Sequence, residues 1–489
     1  MLLLVSLGIT ACSTGNPADP STDAPGDPPG STGPTLDPPA MQRAFYVSIS
    51  NGNDAWSGDL PDPNAGLTDG PKATLDAAAA LVNGAAPGTH VLLRRGDVWN
   101  GAAQLRISTA SGTEAAPIVL GAYGGGERPR IVSTSTTSAV QIRSSAVGPS
   151  QHFWLHEIDV RRLTQVQDQV GVSINEGFHP ELPRDITLSG VTVANHGAGM
   201  TIYGPRTRVH GCRIADNTAG NGIYASAPGI EFRYNEIENN GAPPPDAFTH
   251  SVYLARCDGL TFEFNTVRNA TDGVKSRRTD NGVFRGNTIH GIEAIGIHLG
   301  GDSAGGSTNN RIESNLFFDN AADIVIKSES GVQVALTDGL VIANNIVNGS
   351  GTGFLQNGFR FLVTDVPCRS VWIVNNIFYD VLDGGVRVSA NGVDLLCSNN
   401  VFGKFNSGDV VSLSGSVTSS ANLDYRGHAE FADLFLVDPA GGDFRPTAQS
   451  APLIDQAMNA SSVISVDFAG NARPFGPQFD IGPFEFGYP

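Results

Sequence analysis

Short runs of apolar, β-branched and aromatic residues, separated by glycine, asparagine or aspartate, succeed one another between residues 191 and 400. Within them the phrase Asn-x-(Ile/Val/Phe) recurs, and with Val191 and Cys212 at the equivalent place its intervals are 21 to 31 residues long. Two or three short strands per interval fit one coil of a right-handed parallel β-helix, whose equivalent residues stack about 4.8 Å apart. Stacked amides can bond to one another and to the backbone, which suits an inward corner. The recurring residues are Asn235, Asn265, Asn287, Asn315, Asn345, Asn376 and Asn400.

A second strand follows the phrase in each coil, and the alternation of its side chains predicts one inward and two outward columns. The inward residues, all apolar, are Ile223, Val252, Val274, Ile297, Ile324, Phe354 and Val386. The first outward column is Tyr224, Tyr253, Lys275, His298, Val325, Leu355 and Arg387, and the second is Ser226, Ala255, Arg277, Gly300, Lys327 and Asn357. We therefore expect an exposed strip of cationic and aromatic residues, with Arg256 and Arg278 just beyond it.

An alanine-rich amphipathic segment, Lys72 to Ala85, precedes the repeats and is bounded by Pro71 and Gly84. This pattern predicts a short helix. A solenoid has to cover its first coil, because an uncovered coil presents an open edge to other chains. We expect the helix to be that cap.

The first eleven residues, MLLLVSLGITA, form an apolar run that is too short to span a bilayer. Ile9 to Cys12 resembles the bacterial lipobox, in which the cysteine is lipidated. We therefore expect a lipoprotein signal at 1–12 and a disordered linker at 13–41, whose Pro, Gly, Ser, Thr and Asp cannot bury enough apolar area to offset ordering. The predicted location is the bacterial cell envelope, through the lipid anchor, or the outside of the cell.

The composition limits the classes of molecule that the chain is expected to bind. The 59 glycines and the charged fraction of 16% indicate many tight turns, and the net charge of −18 opposes binding to nucleic acid or anionic lipid. We expect no nucleic-acid partner, and membrane contact only through the anchor. The cysteines after Cys12 form no CxxC pair and have no histidine spacing suited to zinc. An exported location permits disulfides without requiring them, so the pairing of Cys212, Cys257, Cys368 and Cys397 stays open.

Two stretches carry a family resemblance. FYVSISNGNDAWSG, followed by GPKATLDAAAALVNGAAPGTHVLLRRGDVW, resembles the N-terminal module of bacterial right-handed β-helix proteins of the pectate-lyase-like superfamily. The end, from VDPAGGDFRPTAQSAPLIDQA to DFAGNARPFGPQFDIGPFEFG, resembles the choice-of-anchor Q segment often appended to such proteins. The resemblance implies an all-β fold: a right-handed parallel β-helix solenoid with an N-terminal capping helix at 42–425, and an anchor-like segment at 426–489 packed on its end. We expect a monomer.

The strip suits an acidic polysaccharide, because uronates present carboxylates together with flat apolar sugar faces. A lyase must neutralise the C5 carboxylate, remove the C5 proton and assist departure of the 4-oxygen. In the β-helical lyases that the chain resembles, a lysine or arginine commonly is the base, and Ca²⁺ or cationic side chains neutralise the carboxylate. We therefore expect β-elimination of a uronate-containing glycan, with Lys275 as base, Arg277 as carboxylate clamp, and His298 or Tyr253 as proton donor.

Further residues of this region are candidates for substrate binding. His250, in FTHSVYL, resembles the histidine that precedes this strand in several β-helix carbohydrate enzymes, although it can equally bond to a turn carbonyl. The loop at 239–249 can form a wall of the cleft, since loops on rigid scaffolds often carry sites. The binding candidates are Tyr224, His250, Arg256, Arg278 and Lys327.

The sequence contains no recognisable pattern of metal ligands. Asp272, Asp302, Asp323 and Glu329 lie near the same strands without regular spacing of oxygen ligands. The chain also has no acidic pair just before Lys275, unlike the calcium-dependent chondroitinase-B and alginate-lyase-like family. Ca²⁺ is kept as a candidate cofactor with unknown ligands.

Other activities remain open at this point. A glycoside hydrolase on the same fold needs two carboxylates at about 5 Å or about 6.5–9.5 Å. No Asp-Asp pair occurs, although Asp272 with Asp302 or Asp323 can form a spaced pair. A C5-epimerase shares the proton abstraction, and a non-catalytic surface protein for glycan binding or adhesion shares the anchor-like features. Fold alone does not separate them.

Overall fold

The computed structural model describes residues 34–102, 104–166, 169–175, 181–241, 249–302, 304–328, 337–349, 357–361, 368–381, 385–388, 393–403, 411–413, 417–425, 434–458 and 466–488. The predicted signal with Cys12, and most of the predicted linker, lie outside these ranges and stay predictions. In the parts that are described, no helix has the length and apolar character needed to cross a membrane.

The regular secondary structure of the described chain is almost entirely strand. One helix, α1, covers Leu75–Asn83, and a 3₁₀ turn covers Pro439–Gly441. The strands are β1 (Arg43–Val47), β2 (Thr89–Arg94), β3 (Val98–Ala102), β4 (Leu105–Ile107), β5 (Ile118–Tyr123), β6 (Arg130–Ser133), β7 (Ser138–Arg143), β8 (Gln151–His156), β9 (Asp159–Arg161), β10 (Val170–Asn175), β11 (Arg184–Ser189), β12 (Thr192–Ala194), β13 (Ala198–Ile202), β14 (Arg208–His210), β15 (Arg213–Ala215), β16 (Ile223–Ala225), β17 (Glu231–Arg233), β18 (Glu236–Glu238), β19 (Val252–Ala255), β20 (Thr261–Glu263), β21 (Thr266–Ala270), β22 (Val274–Arg277), β23 (Val283–Arg285), β24 (Thr288–Ile292), β25 (Ile295–Gly301), β26 (Ser307–Thr308), β27 (Arg311–Glu313), β28 (Leu316–Phe318), β29 (Ala322–Ser328), β30 (Thr337–Asp338), β31 (Val341–Ala343), β32 (Ile346–Asn348), β33 (Asn357–Phe361), β34 (Cys368–Val374), β35 (Ile377–Tyr379), β36 (Val386–Val388), β37 (Val393–Ser398), β38 (Val401–Phe402), β39 (Val411–Leu413), β40 (Val417–Ser420), β41 (Leu423–Asp424), β42 (Leu436–Asp438) and β43 (Asp443–Pro446).

Three long parallel sheets form the walls of a right-handed β-helix, which confirms the predicted fold. Sheet A contains β1, β2, β5, β8, β11, β14, β17, β20, β23, β27, β31 and β34, together with β26, β30, β37 and β40. Sheet B runs from β3 through β6, β9, β12, β15, β18, β21, β24, β28, β32, β35 and β38 to β41. Sheet C runs from β4 through β7, β10, β13, β16, β19, β22, β25, β29, β33 and β36 to β39. Each strand pairs with its equivalent in the next coil, so one coil is one rung of every sheet.

The predicted asparagine ladder lies at the corner between sheets A and B. The Asn235 N–H and Nδ2 both donate to Oδ1 of Asn265, at 3.0 and 2.8 Å, and Nδ2 also donates to the Val209 carbonyl at 2.9 Å. The same pattern repeats in each following coil, and it extends beyond the predicted end to Asn422. At the start, the Cys212 N–H donates to Asn235 Oδ1 at 2.9 Å. The ladder therefore ties consecutive coils together at one buried corner.

Helix α1 covers the first coil as predicted. Its N-terminus is capped by the Thr74 hydroxyl, which accepts from the Ala77 N–H, and it ends at Gly84, whose N–H donates to the Ala80 carbonyl. The buried face of the helix, Leu75, Ala78 and Val82, joins the main hydrophobic core. Apolar side chains of the open end are thereby removed from water.

The interior is filled by columns of inward-facing side chains, and each coil contributes one residue to a column. On sheet A the rings of Phe232, Phe262 and Phe284 follow one another with centroids 5.8 and 6.0 Å apart. The cysteines of the described chain are buried free thiols, and burial raises the pKa of Cys212 to about 11 and those of Cys257, Cys368 and Cys397 to about 12. They act as small core residues.

The C-terminal segment lies along the outer face of sheet B, over its last rungs. There the outward column changes from the polar residues Arg213, Glu236, Thr266 and Thr288 to the apolar residues Leu316, Ile346, Ile377, Val401 and Leu423. These apolar residues pack with Leu436, Phe444, Leu453 and Ile481 of the segment. The backbone of the segment also accepts hydrogen bonds from Asn344, the residue before Asn345 of the ladder. Asn344 Nδ2 donates to the Asp480 and Gly482 carbonyls, each at 3.1 Å. The segment thus covers the side of the solenoid.

The last residues of the predicted linker contact sheet A. The Leu36 carbonyl accepts from the Ser189 hydroxyl at 2.7 Å, and the backbone of Pro34 and Pro39 bonds to His210 and His90 respectively. These partners belong to strands several rungs apart, so the chain from 34 to 41 runs along the solenoid before it enters β1.

The ladder predicts an uneven cost of removing its amides. Asn315→Ala would leave two buried donors of Asn287 without their acceptor, because both the N–H and Nδ2 bond to Asn315 Oδ1 at 2.9 Å. Each orphaned donor costs about 1–3 kcal/mol, so we expect a loss of about 2–4 kcal/mol in unfolding free energy. Asn422→Ala, at the half-buried end of the ladder, should cost clearly less. Denaturant titrations of both variants check this, and equal losses would contradict the ladder's role.

Candidate functional site

Sheet C carries the predicted strip on its outward face. Backbone pairing aligns Tyr253 with Tyr224 on one side and with Lys275 on the other, and Lys275 with His298. The first column is Tyr224, Tyr253, Lys275, His298 and Val325, and the second is Ala255, Arg277, Gly300 and Lys327. The predicted registration is confirmed over these coils, which lie between β16 and β29.

One coil further on, the predicted registration is wrong. The prediction places Phe354 and Leu355 beside the residues of β29, but β33 enters the sheet five residues later. The observed pairs are Ile324 with Phe359, Val325 with Arg360, and Ala322 with Asn357. Phe354 and Phe359 both fit the apolar residue type expected at an inward position, and alternation in the sequence alone cannot count the residues between two strands. Phe354 and Leu355 themselves lie outside the described residues.

Tyr253 is the centre of the site. Its ring lies 5.4 Å from the Tyr224 ring and 5.3 Å from the His250 ring, each pair edge to face. The Lys275 ammonium lies 5.4 Å and the Arg277 guanidinium 5.5 Å from the Tyr253 ring centroid, which are cation–π distances. Aromatic and cationic groups from three rungs therefore converge on one half-buried phenol.

His298 lies on the predicted face but is not exposed, which corrects the expectation that the whole strip is open. Only 7% of its surface is accessible, and its neighbour Val325 is fully buried. Burial, together with the positive charge of Lys275, lowers the pKa of His298 to about 4. His298 is therefore a neutral imidazole at neutral pH, and it can bond to groups beside Lys275 without adding charge.

Two arginines converge on a single carboxylate. Arg277 Nε and Arg278 Nε lie 3.6 and 3.2 Å from Asp302 Oδ2, and all three side chains are largely buried. One negative charge between two guanidiniums leaves a net positive charge, so the group can still attract an anion. Arg278 is in the left-handed region, with φ +52°, as is Arg256 in the preceding coil, with φ +58°. Both occupy the corner just beyond the strip, as predicted.

The remaining predicted cations are more exposed. Arg256 is exposed at the corner, and its N–H donates to the Arg277 carbonyl at 2.9 Å. Lys327 is also exposed and lies two rungs from Arg277 on the second column. The strip thus runs from neutral tyrosines to cations in the direction of the C-terminus.

A histidine and an aspartate form a pair that the sequence interpretation did not recognise. His250 Nδ1 lies 2.8 Å from Asp272 Oδ2, and the other carboxylate oxygen accepts from the Ile295 N–H at 3.2 Å. His250 is almost fully buried, and its own N–H donates to Asn221 Oδ1 at 2.8 Å. The signal was available, because His250 and Asp272 stand two positions before the inward residues of consecutive rungs. Asp272 therefore holds the imidazole against Tyr253.

The described carboxylates that were considered for calcium or for hydrolysis each have their own partner. Asp272 is paired with His250, Asp302 with the two arginines, and Asp323 is buried beside Asn320, whose Nδ2 donates to it at 3.0 Å. Burial raises the pKa of Asp323 to about 7. Glu329 lies outside the described residues. Among the residues that are described, no group of three or more His, Cys, Asp or Glu is arranged to hold a metal ion.

Comparison with known proteins identifies the architecture. The family described as "right handed beta helix region" matches the chain over residues 134–304 and 250–423. Pectate lyase Pel9A matches 93% of this chain and 98% of its own, with 15% identity and a TM-score of 0.50. GH136 lacto-N-biosidase from Eubacterium ramulus matches 78% of this chain and 68% of its own, with 15% identity and a TM-score of 0.50. No curated protein sequence matches. At 15% identity, the likeness to these two solved structures shows the fold alone.

The buried His298 predicts a dependence of stability on pH. The unfolded chain binds a proton at this side chain below about pH 6.5, whereas the folded protein resists it down to about pH 4. Its contribution is therefore complete above the unfolded pKa and is lost as the pH falls towards 4. Relative to wild type, His298→Gln should gain about 2 kcal/mol of unfolding free energy between about pH 8 and pH 4.5.

Denaturant titration at the two pH values measures this difference. His196→Gln is the matched control, because burial also lowers the pKa of His196 to about 4, at the corner before β13 and three rungs from Lys275. Both variants should change the pH dependence of stability, while only His298→Gln should change any activity of the strip. A His298→Gln curve that runs parallel to that of wild type would contradict the assigned burial.

Proposed function

The chain belongs to the family of right-handed β-helix proteins, and from the groups on sheet C we propose that it is a polysaccharide lyase that cleaves an acidic, uronate-containing glycan by β-elimination. One observation carries the proposal: Lys275 and Arg277 share a rung, and both reach the Tyr253 ring of the preceding rung. This arrangement supports a base, an anion partner and a hydroxyl donor acting on the same sugar.

The reaction needs three groups around one uronate. A base takes the C5 proton, the electron pair becomes the C4=C5 double bond, the C4–O4 bond breaks, and O4 receives a proton. The barrier is high because the C5 proton is weakly acidic, so a positive charge at the carboxylate is needed to stabilise the enolate-like transition state.

We assign the base to Lys275 and the anion partners to Arg277 and Arg278. A lysine acts as a base only in its neutral form. The substrate carboxylate would join Asp302 between the two arginines, because the single charge of Asp302 neutralises only one of the two guanidiniums. A bidentate guanidinium contact would also orient the C5–H bond.

Tyr253 is the better proton donor of the two residues that the sequence suggests. The pKa of His298 lies at about 4, so its imidazolium is scarce at neutral pH. The Tyr253 ring is instead held by its contacts with Tyr224 and with the Asp272-paired His250. In this assignment His298 is a neutral neighbour of Lys275.

The charge of the site supports an anionic substrate. Arg256, Lys275, Arg277, Arg278 and Lys327 oppose the carboxylates Asp272 and Asp302, on a chain whose net charge is −18. The local excess of cations would attract a polyanion that the rest of the surface repels. Hydrolysis has less support, because each carboxylate it would need is already paired or buried. Export and lipidation at Cys12 remain part of the proposal, supported by the apolar start of the chain.

The geometry also restricts the sugar. Lys275 and Tyr253 project from the same face of one sheet, so they approach a bound uronate from the same side. Proton removal and O4 protonation from one side require the C5–H and C4–O bonds to be cis, as in glucuronate and mannuronate. In galacturonate and guluronate these bonds are trans.

Substitution of the base tests the proposal. Lys275→Ala should lower turnover by about a hundredfold or more, the usual contribution of a general base, with little change in thermal unfolding because the side chain is only half-buried. Arg387→Ala is the matched control, since this half-buried cation lies in the same column on β36. Turnover is followed by the ultraviolet absorbance of the C4=C5 bond conjugated to the carboxylate. An unchanged rate in Lys275→Ala would dismiss the assignment.

A panel of polyuronates tests the stereochemistry. Polymannuronate or polyglucuronate should yield unsaturated products, whereas polygalacturonate and polyguluronate should yield about a hundredfold less or none, because the trans arrangement removes the second group from reach. Each polymer is assayed with and without Ca²⁺. Reducing ends without new absorbance would indicate hydrolysis, and equal rates on cis and trans polymers would contradict the one-sided site.

A further inference from the structure

The outward face of sheet C is uncharged over the four rungs between β7, which carries Arg143, and β22, which carries Lys275. Four consecutive rungs, β10, β13, β16 and β19, contribute two outward positions each, and the register extends one residue beyond β13 and β16. These positions are Ser173, Asn175, Thr201, Tyr203, Tyr224, Ser226, Tyr253 and Ala255. None of these eight described residues is Asp, Glu, Lys or Arg, whereas the next rung carries both Lys275 and Arg277.

Three tyrosines form a continuous aromatic surface on these rungs. Ring centroids of Tyr203 and Tyr224 are 5.8 Å apart, and those of Tyr224 and Tyr253 are 5.4 Å apart. Tyr203 keeps 37% of its surface accessible although it is large and partly apolar. A sheet rung rises about 4.8 Å, close to the length of one sugar unit in an extended glycan. A glycan lying along the solenoid axis would therefore place successive sugars over successive rungs.

From this arrangement we propose that Tyr203 and Tyr224 form a subsite for an uncharged sugar next to the cleaved uronate, so that the substrate is a copolymer that combines uronate with uncharged sugars. The inference rests on the proposed lyase function. A homopolyuronate would place a carboxylate over the tyrosines, where the eight outward positions of these four rungs offer no cation and its desolvation is not compensated. A neutral or N-acetylated sugar instead offers an apolar face to a ring and hydroxyls to Thr201 and Ser226.

Charge complementarity selects this occupant over others. Lys275, Arg277 and Lys327 lie on the C-terminal side of the tyrosines, so a ligand that contacts both groups must change from charged to uncharged over about two rungs. A copolymer with an uncharged sugar next to a uronate makes this change. Nucleic acid and homopolyuronates carry a charge on every unit.

The test compares matched substrates with the full-length protein. Polyglucuronate is the homopolymer, and hyaluronan and unsulfated chondroitin are copolymers in which glucuronate alternates with an N-acetylhexosamine. We expect kcat/KM for at least one copolymer to exceed that for polyglucuronate by about tenfold or more. Tyr203→Ala and Tyr224→Ala should each raise KM for the copolymer by about tenfold, as for loss of one aromatic contact. The kcat should be nearly unchanged in Tyr203→Ala, whereas Tyr224→Ala should also lower kcat, because Tyr224 contacts the Tyr253 ring. Tyr203→Phe and Tyr224→Phe keep the ring and should retain the wild-type KM.

The outcomes separate the two proposals. Faster cleavage of polyglucuronate, with no effect of either alanine variant, would overturn the copolymer inference and leave the lyase function standing. If no polymer yields unsaturated products, the lyase function fails, and calorimetric titration with hyaluronan and chondroitin oligosaccharides decides the subsite. Binding that Tyr224→Ala weakens and Tyr224→Phe does not would then support the neutral-sugar subsite. Absence of binding, or binding that is insensitive to both variants, would overturn it.

Discussion

The stacking of each coil on the previous one, in fixed register, is the constraint on which every other feature depends. Parallel pairing brings distant residues of the sequence into one column, such as Tyr253 and Lys275, which are 22 positions apart, and Ile223 and Val252, which are 29 positions apart. A slip of one residue would exchange the inward and outward sets. The asparagine ladder opposes such a slip, because each amide bonds to the equivalent amide of the next coil. A buried unpaired amide is costly, so register and stability are coupled.

With the register fixed, each face of the solenoid can change its chemistry from coil to coil without changing its backbone. Sheet B changes from polar to apolar residues at Leu316, where the C-terminal segment packs against it. Sheet C changes from neutral tyrosines to cations at Lys275. The same constraint therefore accounts for a packing surface on one wall and a candidate active site on another. The covered end, closed by α1, leaves the walls as the surfaces on which function can develop.

Much of this could be predicted from the sequence, because the solenoid is built from local repeats. The asparagine phrase and the alternation around it were sufficient to place Tyr253, Lys275 and His298 side by side. Alternation could not register β33, since the turn before it has no fixed length and both Phe354 and Phe359 suit an inward position. It also could not predict that His298 is buried, because burial of an outward residue depends on what covers the sheet.

The pairings within the site were harder to predict than its location. That Asp302 faces two arginines, and that Asp272 faces His250, depends on side-chain directions at corners, where the strict alternation of strands ends. Two carboxylates that could have suggested calcium or hydrolysis are thereby committed to cationic or imidazole partners. The distribution of charge, more than the fold, supports the proposed lyase activity over the other activities that a β-helix can support.

A crystal structure of Lys275→Gln with a bound glucuronate-containing oligosaccharide tests the central claim most directly. The account predicts a uronate carboxylate within hydrogen-bond distance of Arg277 or Arg278, the C5 atom facing position 275, and O4 facing the Tyr253 hydroxyl. An oligosaccharide bound on another wall of the solenoid, or one whose carboxylate points away from both arginines, would contradict it.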